Sequence, residues 1–275
     1  MPSRFRFHGY AIGAAGRIHK PFSELIEVQA AAALPQIGGY GSARSAGFKY
    51  REILQFELAH TEVTGAVCNC DCDGKPPSHS TRITSTVEGL NILGMVTADR
   101  VVATLSSTYT EASDGEPSVR LIGTRFENLR IAGIPVDLDL GTDVFDRYDT
   151  HRTLAEAYKT DGSVRTFVDQ LTLKHRAKEA PAHILRWFNP AEDGGELPAS
   201  RGITAVSLVR GLSPRQAGLE CWGHVIHLSG FGTIRLAEIE ISKATRNVNM
   251  IQVDLDCPYK GQIMLCSIAD GGDDY

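Results

Sequence analysis

Three cysteines and two aspartates alternate over the short segment Cys68–Gly74, which reads CNCDCDG. Thiolates bind zinc and carboxylates bind calcium. The candidate metal ligands are Cys68, Cys70, Cys72, Asp71 and Asp73. However, the paired C-x2-C elements of zinc sites are absent, and Ser80 stands where a calcium loop would close with a glutamate. The segment is also consistent with a disulfide or redox-active thiol, or with the acidic tip of a surface hairpin, which the incomplete ligand sets favour.

Paired aspartates occur in a second pattern, VDLD, which lies within Pro135–Leu140 and returns at Val253–Asp256. In both copies the apolar side chains share one face of a strand and the carboxylates share the other. Two carboxylates at i and i+2 can hold calcium or serve as an acid and a base. The pattern is more typical of an acidic, solvent-facing side that protects the edge of a sheet.

Established catalytic motifs are absent from the sequence. Neither G-x-S-x-G nor H-E-x-x-H occurs, and the nine histidines are scattered along the chain. This leaves enzymatic activity open, because a protein that only binds and orients an apolar substrate requires no motif. No catalytic residue is assigned, and no cofactor is expected.

The elements that would position these residues are indicated by a repeated segment. VEGLNILGM at Val87–Met95 returns as FENLRIAGI at Phe126–Ile134. In each copy leucine and isoleucine alternate with a polar residue, which predicts a half-buried strand. The alternation breaks at Gly89 and at Asn128, two residue types that readily take positive φ, so a β-bulge is predicted there.

Further positions of the repeat define its expected core and turns. Leu90 and Leu129 are expected to point into the core. The second glycine of each copy, Gly94 or Gly133, predicts a bend before the next strand.

The rest of the chain indicates an all-β fold. Turn residues separate strand-like segments, which include Arg4–Ile18, Glu24–Ala33, Phe48–Thr64, Val101–Tyr109, Ile203–Val209, Val225–Leu228, Thr233–Ile241, Asn247–Leu255 and Gln262–Ile268. Because short turns rather than long helices connect them, we expect antiparallel strands in a barrel or a sandwich.

One helix is clearly indicated in the middle of the chain. Leu154 and Tyr158 are helix-spaced within Thr150–Lys159, and Asp149 or Thr150 can cap its beginning. We therefore expect one or two short helices there. The predicted organisation is a β-rich lobe over 1–148, a helical and loop insertion over 149–200, and strands over 201–275 that complete the β core, all of which can form one continuous domain.

The composition excludes several classes of protein. Hydrophobic residues make up 42% and charged residues 22% of the 275 residues, which is typical of globular proteins rather than disordered ones. The net charge of −5 and the lack of a basic block argue against nucleic-acid binding. The sequence shows neither a secretory signal nor a transmembrane segment, so a soluble, cytoplasmic protein is expected.

The repeat also carries a resemblance to a known family. TSTVEGLNILGMVTADRVVATLSS, followed by GTRFENLRIAGIPV, is similar to the pattern of bacterial choice-of-anchor P type proteins and similar all-β proteins. The resemblance implies an all-β fold and assigns no catalytic residue. It carries no surface location to this chain, because the leader and C-terminal anchor of that family are not seen in the sequence.

Two classes of function are consistent with these observations. The first is a non-catalytic binding or self-assembling structural β protein, with a homo-oligomer expected. The second is a cofactor-independent β-barrel enzyme, a cyclase or isomerase, that acts on a hydrophobic small molecule. A large apolar cavity would favour the enzyme, whereas a filled core with exposed apolar patches would favour assembly.

Overall fold

The computed structural model describes residues 5–68, 77–110, 116–169, 181–185, 204–214 and 219–274. The strands of the first half are β1 (Phe5–Lys20), β2 (Glu24–Ala33), β3 (Gly39–Tyr50), β4 (Leu54–Cys68), β5 (Ser78–Ile92), β6 (Val96–Thr110), β7 (Ser118–Arg120), β8 (Arg125–Glu127), β9 (Arg130–Ile131) and β10 (Ile134–Leu140). The helices are α1 (Thr142–Arg147), α2 (His151–Thr160), α3 (Gly162–Asp169) and α4 (Ala182–Leu185). The later strands are β11 (Thr204–Ser207), β12 (Val209–Pro214), β13 (Glu220–Trp222), β14 (Val225–Leu228), β15 (Gly232–Ile241), β16 (Thr245–Asp256) and β17 (Lys260–Asp274).

These strands form two antiparallel sheets. The first sheet has eight strands in the order β13-β14-β15-β16-β17-β1-β2, with β11 paired to β15. The second has nine strands in the order β12-β10-β9-β6-β5-β4-β3, with β7 and β8 paired to β6. Apolar side chains buried between them form one core. The predicted all-β fold is confirmed, and because each strand order runs from one edge to another, the described part of the chain is a sandwich rather than a closed barrel.

Both copies of the repeat end in the same kind of tight turn. Leu93 and Gly94 have φ values of 51° and 67°, and Ala132 and Gly133 have values of 51° and 76°. Two consecutive positive φ values are the requirement of a type I′ turn, which matches the twist of the flanking strands. The bends expected at the two glycines are therefore confirmed. Leu90 and Leu129 are both buried, as expected.

The break in apolar and polar alternation, predicted at Gly89 and Asn128, extends to the neighbouring strands of the second sheet. Positive φ values occur at Gly47 on β3, at Gly89 on β5 and at Asn128 between β8 and β9. The register places Glu57 and Asp99 between them. The register does not shift across this row. The predicted β-bulge is wrong, because a bulge adds a residue to one strand only, whereas here every strand of the row breaks its alternation at the same level.

A second such row crosses the first sheet. Ala30, Cys266 and Ala237 have φ values of 50°, 48° and 49°, and the register places Gly13 and Met250 between them. We call these two features the positive-φ rows. Each reverses which side chains of its strands face the core.

The two sheets approach closely where the rows lie. A Cβ atom added to Gly13 would lie 2.8 Å from the Cβ atom of Ala59 in the opposite sheet. Hydrogen bonds between the sheets run from Thr61 Oγ1 to Ala30 O (3.0 Å), from Ser85 Oγ to Ile12 O (2.9 Å) and from Cys266 Sγ to Val101 O (3.4 Å). We call this contact region the waist. Small side chains bring the sheets together there, and hydroxyl and thiol groups satisfy buried carbonyls.

The helices follow β10 and cover one end of the core. Helix α2 begins with a capping box, in which Thr150 Oγ1 accepts from Thr153 N at 3.1 Å and Thr153 Oγ1 accepts from Thr150 N at 3.2 Å. Leu154 of α2 and Phe167 of α3 are buried on the inner faces of their helices. The predicted helix is confirmed. No helix in the described ranges is long and apolar enough to cross a membrane.

Two predicted strands are divided in the structure. Ile203–Val209 is split between β11, which ends at Ser207, and β12, which begins at Val209 in the other sheet. Phe48–Thr64 was expected to be a single strand, but β3 ends at Tyr50 and β4 begins at Leu54. Arg51 takes a φ of 51° at the turn between them, and Ile53 N donates to Tyr50 O. This expectation was wrong because an arginine provides the positive φ in place of a glycine or asparagine.

Candidate functional site

The predicted metal ligands fall mostly outside the described residues. Cys68 is exposed at the end of β4 and pairs with Ser78 in β5. Cys70, Asp71, Cys72 and Asp73 lie outside the described ranges. Among the residues that the structure does describe, no group of three His, Cys, Asp or Glu side chains is arranged to hold a metal ion. The metal, disulfide and hairpin-tip interpretations therefore stay predictions.

The edge strands β2 and β3 lie side by side, one from each sheet, without a backbone ladder between them. Ser45 Oγ donates to Gln29 Oε1 at 2.7 Å, and near the other end Tyr50 Oη donates to Glu24 Oε2 at 2.7 Å. Arg51 also pairs with Glu24 at 2.9 Å. The hydrogen bond from Tyr50, with that from Arg51, lowers the pKa of Glu24. We call this contact the seam, and long side chains hold it together.

The outer face of β2 is apolar and exposed. Leu25 is 70% exposed, and Val28, Ala31 and Ala33 are also exposed along the same strand. Tyr10 lies beside Ala33 in the register of β1 and β2 and is exposed as well. We call these five residues the β2 stripe. Of the two charged residues on β2, Glu27 is exposed, and Glu24 is held in the seam by Tyr50 and Arg51.

Other exposed apolar residues occur close to the stripe in the chain. Ile37, in the connection between β2 and β3, is 91% exposed, and Tyr40 at the start of β3 is exposed as well. Two exposed apolar residues lie on other parts of the chain, Val67 near the end of β4 and Ile122 between β7 and β8. Exposed apolar residues are therefore concentrated around β2. Contiguous exposed apolar residues, unlike single ones, mark association surfaces.

A cleft of about 380 Å³ opens where β10 leaves β9. The ladder between them contains two pairs, Ile134 with Ile131 and Pro135 with Arg130, after which β10 pairs with β12. Arg125 lines the cleft but is held by Glu127, 2.7 Å away. Asp137, from the first VDLD sequence, also lines it and is exposed.

The outer face of the first sheet contains a polar network. Arg235 contacts Glu238 at 2.6 Å, Gln252 at 2.6 Å and Asp254 at 3.5 Å. His224 lies 3.3 Å from the other oxygen of Glu238. Burial alone would raise the pKa of Glu238, but His224 and Arg235 outweigh it and hold that pKa below its ordinary value. Four of these side chains are less than a fifth exposed although they lie on an outer face.

Two cavities adjoin this network. One of about 250 Å³ is lined by Arg17, Arg235 and Gln252 among others, and one of about 580 Å³ is lined by His227 and Thr233 among others. Asp254 and Gln262 line both. The second VDLD sequence, at Val253–Asp256, thus contributes a residue to both cavities, while its valine and leucine are buried in the core as expected.

Two oppositely charged residues are buried on neighbouring strands of the first sheet. Arg246 and Asp270 are opposite each other in the register of β16 and β17, and both are more than nine-tenths buried. Burial lowers the pKa of Arg246 to about 10 and raises the pKa of Asp270 to about 6. A hydrogen bond with Ser107 and the charge of Arg246 oppose the shift at Asp270.

The sequence reasoning missed these groups for different reasons. Leu25, Val28 and the alanines of β2 were included in a predicted strand, but which of its faces is covered depends on the partner strands. Arg235 and Gln262 come together only through the register of β15, β16 and β17. The VDLD repetition was the one signal that pointed to Asp254.

Comparison with known families gives one match. A family model described as "Domain of unknown function (DUF8256)" matches residues 5–242, which include the seam, the β2 stripe and the waist residues other than Cys266. Comparisons with curated proteins and with solved structures found no match.

Proposed function

We propose, for a chain that belongs to the DUF8256 family of domains of unknown function, a non-catalytic role in which copies of the protein associate through the β2 stripe. The proposal depends on one observation, which is that the edge strand β2 presents an apolar outer face along its length, with Leu25 70% exposed. Covering such a surface favours association by about 25 cal/mol for each Å² of apolar area removed from water.

The seam determines which part of β2 is available. β3 runs beside β2, and their side chains meet through Ser45 and Gln29 and through Tyr50 and Glu24. We therefore assign the contact to the outer face of β2 rather than to its hydrogen-bonding edge. Two copies related by a twofold axis would bring this same face together, as in most homodimers.

An enzyme that acts on a hydrophobic small molecule is the second candidate, and it has less support. Such an enzyme needs an apolar cavity, and the natural place for one in a sandwich is between the sheets. At the waist, Gly13 and Ala59 leave too little room for even one added methyl group. The exposed stripe and the close contact of the sheets together favour association over catalysis.

The experiment measures molar mass by size-exclusion chromatography with light scattering over a range of protein concentrations. The unmodified chain is expected to move from the mass of one copy to that of two as concentration rises. The double variant Leu25→Lys, Val28→Lys is expected to stay monomeric, because association would bury two unpaired charges.

Ile122→Lys provides the matched control, because it places the same charge on an exposed apolar position outside the stripe. This variant is expected to associate as the unmodified chain does. A monomeric unmodified chain at every concentration would overturn the proposal. So would a stripe variant that still forms dimers and keeps its circular dichroism spectrum.

A further inference from the structure

The outer face of the first sheet carries a row of polar side chains that crosses five neighbouring strands. The register pairs His227 with Thr233, Thr233 with Asp254, Asp254 with Gln262, and Gln262 with Arg17. Each residue is next in the chain to an isoleucine or valine of the core, so all five side chains point to the outer face. We call them the transverse row. With neighbouring strands about 4.8 Å apart, the row is about 19 Å long.

The transverse row is concave. The cavities of about 250 Å³ and 580 Å³ lie along it and share Asp254 and Gln262 as lining residues. Thr233 is 4% exposed, and the side chain of Asp254 is 15% exposed, so the row forms the floor of a groove rather than a flat polar surface. Cavities of this combined size lie within the range of ligand sites.

The charges of the groove balance. Among the described residues, five charged side chains line it and Glu238 pairs with one of them, which gives three cations and three carboxylates: Arg17, Arg235, Lys260, Asp254, Asp256 and Glu238. The pairs Lys260 with Asp256 and Arg235 with Glu238 are within 2.9 Å. A charged ligand therefore gains no net attraction, whereas a neutral ligand with many hydroxyl groups finds both donors and acceptors.

One acceptor in the groove is not satisfied by the described residues. Asp254 Oδ1 accepts from Gln262 Nε2 at 2.8 Å, but the buried Asp254 Oδ2 receives no hydrogen bond from any of them. Arg235 Nη2 lies 3.5 Å from Oδ2, close enough for attraction but without hydrogen-bond geometry. A buried carboxylate oxygen of this kind is costly unless a donor reaches it, and a ligand hydroxyl would be such a donor.

We propose that the groove along the transverse row binds a neutral oligosaccharide chain, with a sugar hydroxyl donating to Asp254 Oδ2. The length of the row fits an extended chain of several sugar rings better than a single ring. Gln262 and Arg17 supply donors to ring and hydroxyl oxygens farther along the row. Arg17, at one end of the row, pairs with Leu25 of the β2 stripe in the register, but Asp254 and Gln262 lie on β16 and β17. Variants of these two residues therefore leave the stripe unchanged, so the test can be read apart from the proposed self-association.

The test is a titration of the full-length, isotope-labelled protein with cellohexaose, maltohexaose and laminarihexaose, followed through its amide resonances. At least one is expected to bind with a Kd of about 1 mM or tighter and to shift the resonances of Thr233, Asp254 and Gln262. Asp254→Asn and Gln262→Ala are each expected to weaken binding at least about tenfold, since the first replaces a carboxylate acceptor with an amide donor and the second deletes the side-chain amide. Hexagalacturonic acid serves as the charged probe and is expected to bind more weakly.

Asp137→Asn is the matched control, because Asp137 is the corresponding residue of the first VDLD sequence and lies outside the groove. It is expected to leave binding unchanged. If none of the three neutral hexasaccharides binds, or if hexagalacturonic acid binds more tightly than they do, the proposal is overturned. It is equally overturned if binding survives both groove variants while their spectra show a folded protein.

Discussion

The two sheets meet at the waist and at the seam, and the two contacts are built differently. At the waist, the fully buried side chains of Ser85 and Thr61 donate directly to backbone carbonyls of the opposite sheet. At the seam, the long side chains of Glu24 and Arg51 meet in an ion pair that is more than 40% exposed on both sides. Buried contacts with no room to adjust cost more to disturb than exposed, flexible ones, so the waist should account for most of the cohesion between the sheets.

The largest effect is expected from filling the waist. Gly13→Val adds a side chain whose Cβ atom would lie only 2.8 Å from the Cβ atom of Ala59. We expect the free energy of unfolding to fall by about 3 kcal/mol or more, because neither sheet can move away without losing cross-sheet hydrogen bonds. Urea denaturation measures this. Gly162→Val is the control, since a Cβ there meets nothing within 4 Å, and an equal loss in both variants would contradict the waist as described.

The buried residues Arg246 and Asp270 extend the comparison to charged groups, and Asp270 should make the stability depend on pH. The pKa of Asp270 is about 6 in the folded protein and ordinarily 3.8. Between these values the folded protein holds a proton that the unfolded chain has lost, so this group makes stability fall as pH rises from 4 to 6.

Asp270→Asn removes this loss of stability with rising pH, because the amide does not titrate. The unfolding free energy of the variant minus that of the unmodified protein should therefore increase between pH 4 and pH 7, by up to about 3 kcal/mol. Urea denaturation at several pH values measures the difference. Parallel pH profiles for the two proteins would contradict the raised pKa.

A smaller effect is expected from removing a single hydrogen bond at the waist. Ser85→Ala deletes the donor to Ile12 O and should lower the free energy of unfolding by about 1–2 kcal/mol, because that carbonyl loses its partner at the contact between the sheets. Ser80→Ala, on the same strand but with an exposed hydrogen bond, is the control and should change little. If the two variants are equally stable in thermal and urea denaturation, buried hydroxyls do not hold the waist together.

The smallest effect is expected at the seam. Arg51→Ala breaks the exposed pair with Glu24, and the loss should be smaller than for Ser85→Ala and should diminish as salt is added. Thermal denaturation at low and high ionic strength measures it. A loss that exceeds that of the waist variant would reverse the comparison between the two contacts.

Local patterns allowed much of the fold to be predicted, whereas contacts between distant strands were not predictable. The turns at Gly94 and Gly133 and the helix capped by Thr150 follow from a few adjacent residues, and all were found. The break at Gly89 was visible, but its extension to Gly47 requires the register of the neighbouring strands. The division of one predicted strand at Arg51 has no compositional signal.

The candidate sites were less predictable than the fold for the same reason. Whether Leu25 is exposed or Asp254 lies in a groove depends on strands far away in the sequence. The metal ligands proposed from CNCDCDG stay a prediction, because four of the five lie outside the described ranges. Pattern alone identified residue types able to do chemistry, but only the sheet brings them together.

The positive-φ rows also restrict how the length of this protein can change. Deleting one residue from β5 would move Gly89 away from its place between Glu57 and Asp99, and the reversal of that strand would no longer match its neighbours. Insertions and deletions are thus confined to the loops, or must occur in several adjacent strands at once. Across relatives of this chain, we expect neighbouring strands of one sheet to change length together, whereas the loops vary independently.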